Sequence, residues 1–212
     1  MKVNELFYSI QGESSLAGRP CAFIRLTGCN LRCTWCDTQY AFHEGNEMSL
    51  SDIMREIATY PTRLALVTGG EPMLQNDVHE LFAALIERGY TVLVETGGHE
   101  PLAAVDARVH KIVDFKCPSS GMSDRNYYAN ADCLTRNDEV KFVIADRNDF
   151  DWACNLVRNL DLTTRAGMVH FSPIFGKISL AELAALVLNC GLDVRIQPQL
   201  HKIIWPEISR GV

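Results

Sequence analysis

Short apolar runs and longer amphipathic stretches take turns along most of the chain. Residues 21–28, 64–68, 91–98, 111–116, 139–144, 168–171 and 193–197 are rich in Val, Ile, Leu and Phe, and most stop at glycine, proline or a polar turn. That pattern predicts strands. Between them, residues 49–60 set Leu50, Ile53, Met54 and Ile57 on one face behind a Ser or Asp cap, the spacing of an amphipathic helix. Residues 77–88 before Gly89, 148–159, and 179–189 before Gly191 read the same way. Strands alternating with helices predict a mainly parallel sheet joined by right-handed crossovers. Six or seven such strands in 212 residues are too few for a complete eightfold barrel. The expected fold is α/β, a partial open parallel β/α barrel with about six core strands; a doubly wound open sheet is the alternative. Residues 5–10 alternate weakly before Gln11-Gly12-Glu13-Ser14 and predict an edge strand and a turn. Residues 120–138 are polar and irregular and predict a flexible insertion.

Composition narrows the class. With 47% hydrophobic and 22% charged residues the chain is expected to form one domain over residues 1–212. A net charge of -6 argues against a nucleic-acid partner, which calls for a basic face. No stretch approaches the roughly 18 apolar residues of a membrane span, and the N-terminus has no signal-like run. A cytoplasmic protein is expected, and in a reducing compartment its eight cysteines point to metal ligation rather than disulfides.

Three of those cysteines, Cys29, Cys33 and Cys36, fall at the spacing C-x3-C-x2-C just after the predicted strand 21–28. Three thiolates can converge on one metal centre, one short of the four that a closed zinc site or a fully ligated iron–sulfur cluster takes. A cubane held by three cysteines leaves one iron free for another ligand. Four further polar signals also end predicted strands: Gly69-Gly70-Glu71-Pro72, Glu95-Thr96-Gly97-Gly98, Lys116-Cys117-Pro118-Ser119-Ser120 and Ser172-Pro173. Singly, each reads as a turn, a packing residue or a salt-bridge partner. Together with the cysteines they line the carboxyl-end rim, where α/β barrels bind their ligands. Arg25 interrupts the apolar run before the cysteines. A buried cation needs an anion, which is either a salt-bridge partner or a ligand carboxylate.

The cysteine loop followed by Gly-Gly-Glu-Pro resembles the radical S-adenosylmethionine superfamily, whose three cysteines hold a 4Fe-4S cluster with S-adenosylmethionine on the fourth iron. Gln11-Gly12-Glu13, Arg25, Cys36-Asp37-Thr38, Thr68 before the glycines, the Asp114 to Ser120 segment and Gln199-Leu200-His201-Lys202 resemble the 7-carboxy-7-deazaguanine synthase (QueE) family. The likeness covers nearly the whole chain. It implies a lyase of queuosine biosynthesis, acting on 6-carboxy-5,6,7,8-tetrahydropterin with an electron from flavodoxin or a similar donor. A 5'-deoxyadenosyl radical would take hydrogen from C6, and ring contraction with loss of ammonia would give 7-carboxy-7-deazaguanine. By the same likeness Cys29, Cys33 and Cys36 ligate the cluster, and Thr38 binds Mg2+ through its hydroxyl. Trp35, Cys36, Asp37, Gly70, Glu71, Cys117, Pro118, Ser119, Ser172, Pro173, Ile174 and Phe175 hold S-adenosylmethionine. Ile10, Gln11, Gly12, Arg25, Thr68, His201 and Val212 face the substrate, with Arg25 on its carboxylate. A homodimer is the base-rate expectation.

Two other readings compete. A glycyl-radical activase shares the cluster and the Gly-Gly-Glu-Pro turn but has no need of a carboxylate-binding arginine or a Mg2+ threonine. A non-catalytic metal-binding module would use the three cysteines with a distant fourth ligand such as His43. Cys21, Cys117, Cys133, Cys154 and Cys190 show no second cluster spacing, and Cys154 and Cys190 sit in helical patterns. Iron analysis of the anaerobically reconstituted chain is therefore expected to return about four irons; about eight would reveal an auxiliary cluster.

Overall fold

The computed structural model describes residues 1–208 and 210–212. Its strands are β1 (Lys2–Ile10), β2 (Pro20–Leu26), β3 (Asn46–Glu47), β4 (Leu64–Gly69), β5 (Thr91–Thr96), β6 (His110–Asp114), β7 (Glu139–Ile144), β8 (Met168–Pro173) and β9 (Arg195–Ile196). They form one sheet in the order β3-β1-β2-β4-β5-β6-β7-β8-β9. From β2 to β9 neighbours are parallel, while β1 runs antiparallel to β2 and β3 antiparallel to β1.

From β2 onward spatial order follows chain order, so every crossover steps the same way. A doubly wound sheet reverses direction at a switch point, and this one does not. One-directional, right-handed crossovers put the helices on a single face and curve the sheet into a barrel wall. The helices are α1 (Leu50–Ile57), α2 (Val78–Glu87), α3 (Arg147–Asn159), α4 (Leu162–Arg165), α5 (Leu180–Cys190) and α6 (Leu200–Ile204). Ile53, Phe82, Val157 and Leu183 from the helices pack with Ile24, Val67, Val94, Phe142 and Phe171 from the sheet in the outer core. The alternate strand residues point inward, and Phe7, Cys21, Phe23, Leu64, Leu66, Leu93 and Ile112 form a second, smaller core. Strands covered on both faces explain the near-continuous apolar runs.

The end strands β3 and β9 do not pair, so the barrel is open. The β1–β2 loop, residues 11–19, crosses its floor. Leu16 packs against the inner core. Ser15 N–H donates to both carboxylate oxygens of Glu139 on β7, each at 3.0 Å. Ser14 N–H donates to Gln197 Oε1 at 2.8 Å, and Gln197 Nε2 donates back to Ser14 O at 2.9 Å. Among the described residues no helix is long and apolar enough to cross a membrane.

The sequence pattern misjudged three places. The first strand starts at Lys2 and pairs on both sides, because its second neighbour β3 has only two residues and no periodicity to read. The short helices α4 and α6 are likewise below the length at which an apolar stripe shows. Residues 120–138, expected as a flexible insertion, include 3-10 turns at Ser123–Arg125 and Tyr128–Cys133 and are tied to the body of the protein. Beside Asn126, which brackets the Lys116 backbone, and Tyr127 N–H on Gly98 O, one tie is Asn130, which is buried. Its Nδ2 donates to Gly98 O (3.2 Å) and Glu100 O (2.9 Å), and its Oδ1 accepts Leu102 N–H (3.0 Å). Asn130→Ala is expected to cost about 1–3 kcal/mol, because it leaves buried backbone groups unpaired. Urea unfolding measures the loss, and limited proteolysis should show faster cleavage within 120–138.

Candidate active site

The cysteine loop leaves β2 and is held by the turn that leaves β4. Gly70 N–H donates to Leu26 O (3.1 Å), and Glu71 N–H donates to Gly28 O (2.7 Å). The approach is so close that a Cβ on Gly70 would lie 2.2 Å from Gly28 O and 2.9 Å from Cys29 Cβ. Glycine is required there by contact, whatever its dihedral freedom. Glu71 fixes the turn from below. Its carboxylate is fully buried and accepts from Thr96 Oγ1 (2.9 Å to each oxygen), Gly97 N–H (2.8 Å) and Met73 N–H (3.0 Å). Burial pushes its pKa up, opposed by those same hydrogen bonds. The far side of the loop is tied down by Thr34, whose N–H donates to Ser120 O at 3.0 Å.

Held this way, Cys29, Cys33 and Cys36 all line one cavity of about 540 Å³. All three are free thiols. Burial raises the pKa of Cys29 and Cys33, and the neighbouring thiols add to it while Lys116 opposes it. Among the described residues no three His, Cys, Asp or Glu side chains stand close enough to share a single metal ion. The three thiols share one cavity lining, and an iron–sulfur cluster takes a separate thiolate on each ligated iron.

The cavity continues down the inner face of the sheet. Arg25 Nε donates to Glu5 Oε1 at 2.6 Å, across the β1–β2 register. The guanidinium also lies 5.8 Å from the Phe7 ring centre and 6.0 Å from that of Tyr40. Of the two partners open to Arg25 from the sequence, a salt bridge is present, and it spends only one edge of the fork. A further charged set lines the cavity: the sequence reading named Glu13, Glu95, Asp114 and Lys116 within its motifs, and Lys141 only within the strand 139–144, without giving them a site role. Lys141 Nζ meets Glu13 Oε2 (2.5 Å) and Glu95 Oε1 (2.9 Å), and Lys116 Nζ meets Asp114 Oδ2 (2.7 Å). Burial works against the charge on Lys141, but Glu13, Glu95 and Asp114 outweigh it and hold the ammonium. The available signal was the one that exposed Arg25, a charge in an apolar strand.

Most of the expected site residues meet here. Trp35, Asp37, Thr38, Gly70, Glu71, Cys117, Ile174 and Phe175 line the cavity, as do Ile10, Gln11, Gly12, Thr68, His201 and Val212. Pro118, Ser119, Ser172 and Pro173 do not. Ser119 N–H caps Asp149 Oδ1 at 3.0 Å, and Ser120 reaches the cavity in place of Ser119. Ser172 is fully buried, and among the described residues its Oγ has no partner. Thr38 Oγ1 lies 3.7 Å from Cys36 Sγ. His201 is in the site because α6 folds over the Gln11–Gly12 turn: Leu200 N–H donates to Gly12 O at 3.0 Å. A Cβ on Gly12 would stand 2.3 Å from His201 Nδ1. Burial lowers the His201 pKa, with Glu13 pulling the other way. Lys202 pairs with Asp37 at 2.7 Å, so the same helix also touches the cysteine loop. His43, the distant ligand of the metal-module reading, is exposed and off the cavity lining.

An open β/α barrel with a three-cysteine loop on its rim defines a class. Residues 23–186 match the model of the Radical SAM superfamily, and the chain belongs to it. That membership implies a 4Fe-4S cluster and S-adenosylmethionine. Proteins named 7-carboxy-7-deazaguanine synthase from Koribacter versatilis (43% identical, all of both chains) and Chlorobaculum tepidum (43%, all of this chain and 97% of the relative) align end to end with it. Within the superfamily the chain belongs to the 7-carboxy-7-deazaguanine synthase family. The QueE crystal structure from Escherichia coli shares the fold, with a TM-score of 0.72 at 22% identity over 94% of each chain. Streptococcus suis SuiB bound to S-adenosylmethionine shares it more distantly, at TM-score 0.59 and 15% identity over 87% of this chain and 51% of that one.

Gly70→Ala drives a methyl group into Gly28 and Cys29 and should cost about 1–3 kcal/mol of overpacking. The expected readout is less iron per chain after anaerobic reconstitution, with an unchanged far-UV spectrum. Iron at the wild-type level would show that the close contact does not matter.

Proposed function

We propose that residues 1–212 act as one catalytic domain converting 6-carboxy-5,6,7,8-tetrahydropterin to 7-carboxy-7-deazaguanine with loss of ammonia. The observation that carries this reading is the sharing of one cavity by the three-thiol loop and a recess bearing Arg25. In it, Cys29, Cys33 and Cys36 hold the cluster. When bound, the cluster would supply one-electron chemistry on S-adenosylmethionine that takes a hydrogen atom from the substrate and, since loss of ammonia is redox-neutral, returns one to the product. The protein binds, orients and excludes water.

S-adenosylmethionine is held by the backbone from Trp35 to Asp37, by Gly70, by Cys117 and Ser120, and by Ile174 and Phe175, the members of those segments that reach the cavity. Phe175, 74% exposed at the cavity mouth, is placed to cover an adenine ring. Arg25 takes the substrate carboxylate with the guanidinium edge that Glu5 leaves open, a geometry lysine cannot reproduce. Gln11, Gly12 and Thr68 line the same recess, and the Glu13–Lys141–Glu95 chain offers donors and acceptors to a pterin ring. Thr38 contributes its hydroxyl to Mg2+, which keeps waters and accepts substrate oxygens. The reading includes a flavodoxin-type electron donor and, because its thiols are free, a cytoplasmic setting. Exposed Ile203 and Ile204 on α6 and Ile208 beyond it support a homodimer.

The test is an anaerobic assay of the reduced, reconstituted chain with S-adenosylmethionine, the carboxytetrahydropterin and Mg2+. Deazaguanine absorbance is expected; its absence in the wild type sinks the reading and favours an activase. Arg25→Gln should raise KM about 10- to 100-fold, the loss of a charge-assisted pair. Thr38→Val should lower turnover and flatten its Mg2+ dependence, and an unchanged Mg2+ titration would contradict that ligand.

A further inference from the structure

Gln11, Gly12 and Glu13 have little sheet to hold them. They begin the floor loop just after β1 ends and are held directly by Leu200 N–H on Gly12 O and by Lys141 and Gln199 on Glu13, while the rest of the loop has a grip of its own. That grip is shared by Gln197 on Ser14 and Glu139 on Ser15, and Glu139 is the charged one. It is the first residue of β7, its side chain points inward, and it is almost completely buried. Its Oε1 meets His110 Nε2 at 2.8 Å and its Oε2 meets His170 Nε2 at 2.7 Å. Besides the two bonds from Ser15 N–H, Ser15 Oγ also donates to Oε1. Burial disfavours the carboxylate, yet His110, His170 and Ser15 together hold it ionised well below the usual range.

The next inward residue of β7 is Lys141, which holds Glu13. Alternate residues of the loop, Glu13 and Ser15, are thus gripped by alternate residues of β7, Lys141 and Glu139, as a register of side chains. The loop closes on itself through Gln11 N–H to Arg19 O and Gly18 N–H to Gln11 O, both at 2.8 Å. Ser15 and Gln11 thus lie in one hydrogen-bonded loop. None of the cysteines takes part, and neither Glu139, His110 nor His170 lines the cavity.

We propose that Glu139, pinned between His110 and His170, is a positioning residue that sets the Gln11–Gly12–Glu13 turn at the height the substrate needs. It acts through Ser15 and touches no reacting atom. The proposal rests on the reading that this turn faces the pterin.

The experiment compares wild type, Glu139→Gln, Glu139→Ala and the milder Ser15→Ala as full-length, iron-reconstituted chains. Hydrogen exchange of a peptide spanning residues 11–19 reports the loop, and steady-state kinetics report its effect. Glu139→Ala should exchange at least about ten-fold faster in that peptide. Its KM for the carboxytetrahydropterin should rise about ten-fold or more, with the cluster absorbance unchanged and kcat reduced by a smaller factor. Glu139→Gln, which keeps one acceptor oxygen, should recover part of the KM, and Ser15→Ala should shift KM by about two- to five-fold. An unchanged exchange rate, or an unchanged KM with faster exchange, overturns the proposal. So does a loss confined to kcat and iron content, which marks a merely structural role. If Glu139→Ala does not fold, Ser15→Ala and Glu139→Gln carry the same test. Failure of wild type to turn over the pterin would instead strike the functional reading, and is scored separately from the exchange data.

Discussion

The contact on which this protein depends is the seating of Gly69 and Gly70 against the backbone of Leu26 and Gly28. It leaves no room for a side chain at Gly70 and joins the loop after β2 to the turn after β4 through two main-chain hydrogen bonds. A loop of thiols has no reason to stay compact by itself, since partly buried thiols gain little from one another and burial makes Cys29 and Cys33 ionise reluctantly. What keeps Cys29, Cys33 and Cys36 around a common space is the framework beneath them. Glu71 is part of that framework: a buried carboxylate, costly in isolation, satisfied by Thr96, Gly97 and Met73 so that it fastens β5 to the turn.

The second constraint is the open barrel. Seven parallel strands in chain order curve without closing, and the interior is finished by other means. The lower interior is apolar near β2, β4 and β5, and becomes ionic toward β7 and β8, where Glu139 and His170 replace the phenylalanine and leucines. The floor loop spans this divide, with Leu16 on the apolar side and Ser15 on Glu139. Above it sits the charged layer of Arg25, Glu95, Asp114 and Lys141. A cavity lined this way can desolvate a polar heterocycle while still pairing its hydrogen-bonding groups, which an apolar pocket cannot do.

Much of the architecture and the centre of the site were legible in the chain. The three cysteines and the glycine pair could be read because each is set by a local requirement: ligands at fixed spacing, and no Cβ at a close approach. Arg25 could be read because a charge inside an apolar strand must be explained. Glu95, Asp114 and Lys141 carried the same signal, but which face they occupy follows only from the curvature of the sheet. Glu139 was less legible still. Its partner Ser15 lies 124 residues away, and no periodicity links them. The polar stretch 120–138 misled because hydrogen bonds from Asn126, Tyr127 and Asn130 to neighbouring backbone do the work that an apolar stripe usually does. The helix carrying His201 was too short to show a stripe at all.

The central claim is that the thiol loop and the arginine-bearing recess serve one reaction in one cavity. The direct test is isotopic. Reduced, reconstituted protein is incubated anaerobically with S-adenosylmethionine and carboxytetrahydropterin deuterated at C6. Loss of ammonia is redox-neutral, so the hydrogen taken from the substrate has to be replaced and the cofactor re-formed; the recovered S-adenosylmethionine and any 5'-deoxyadenosine are analysed by mass spectrometry. The predicted result is deuterium from C6 at the 5' carbon of that recovered pool. Deazaguanine formed with no deuterium in either species would contradict the claim.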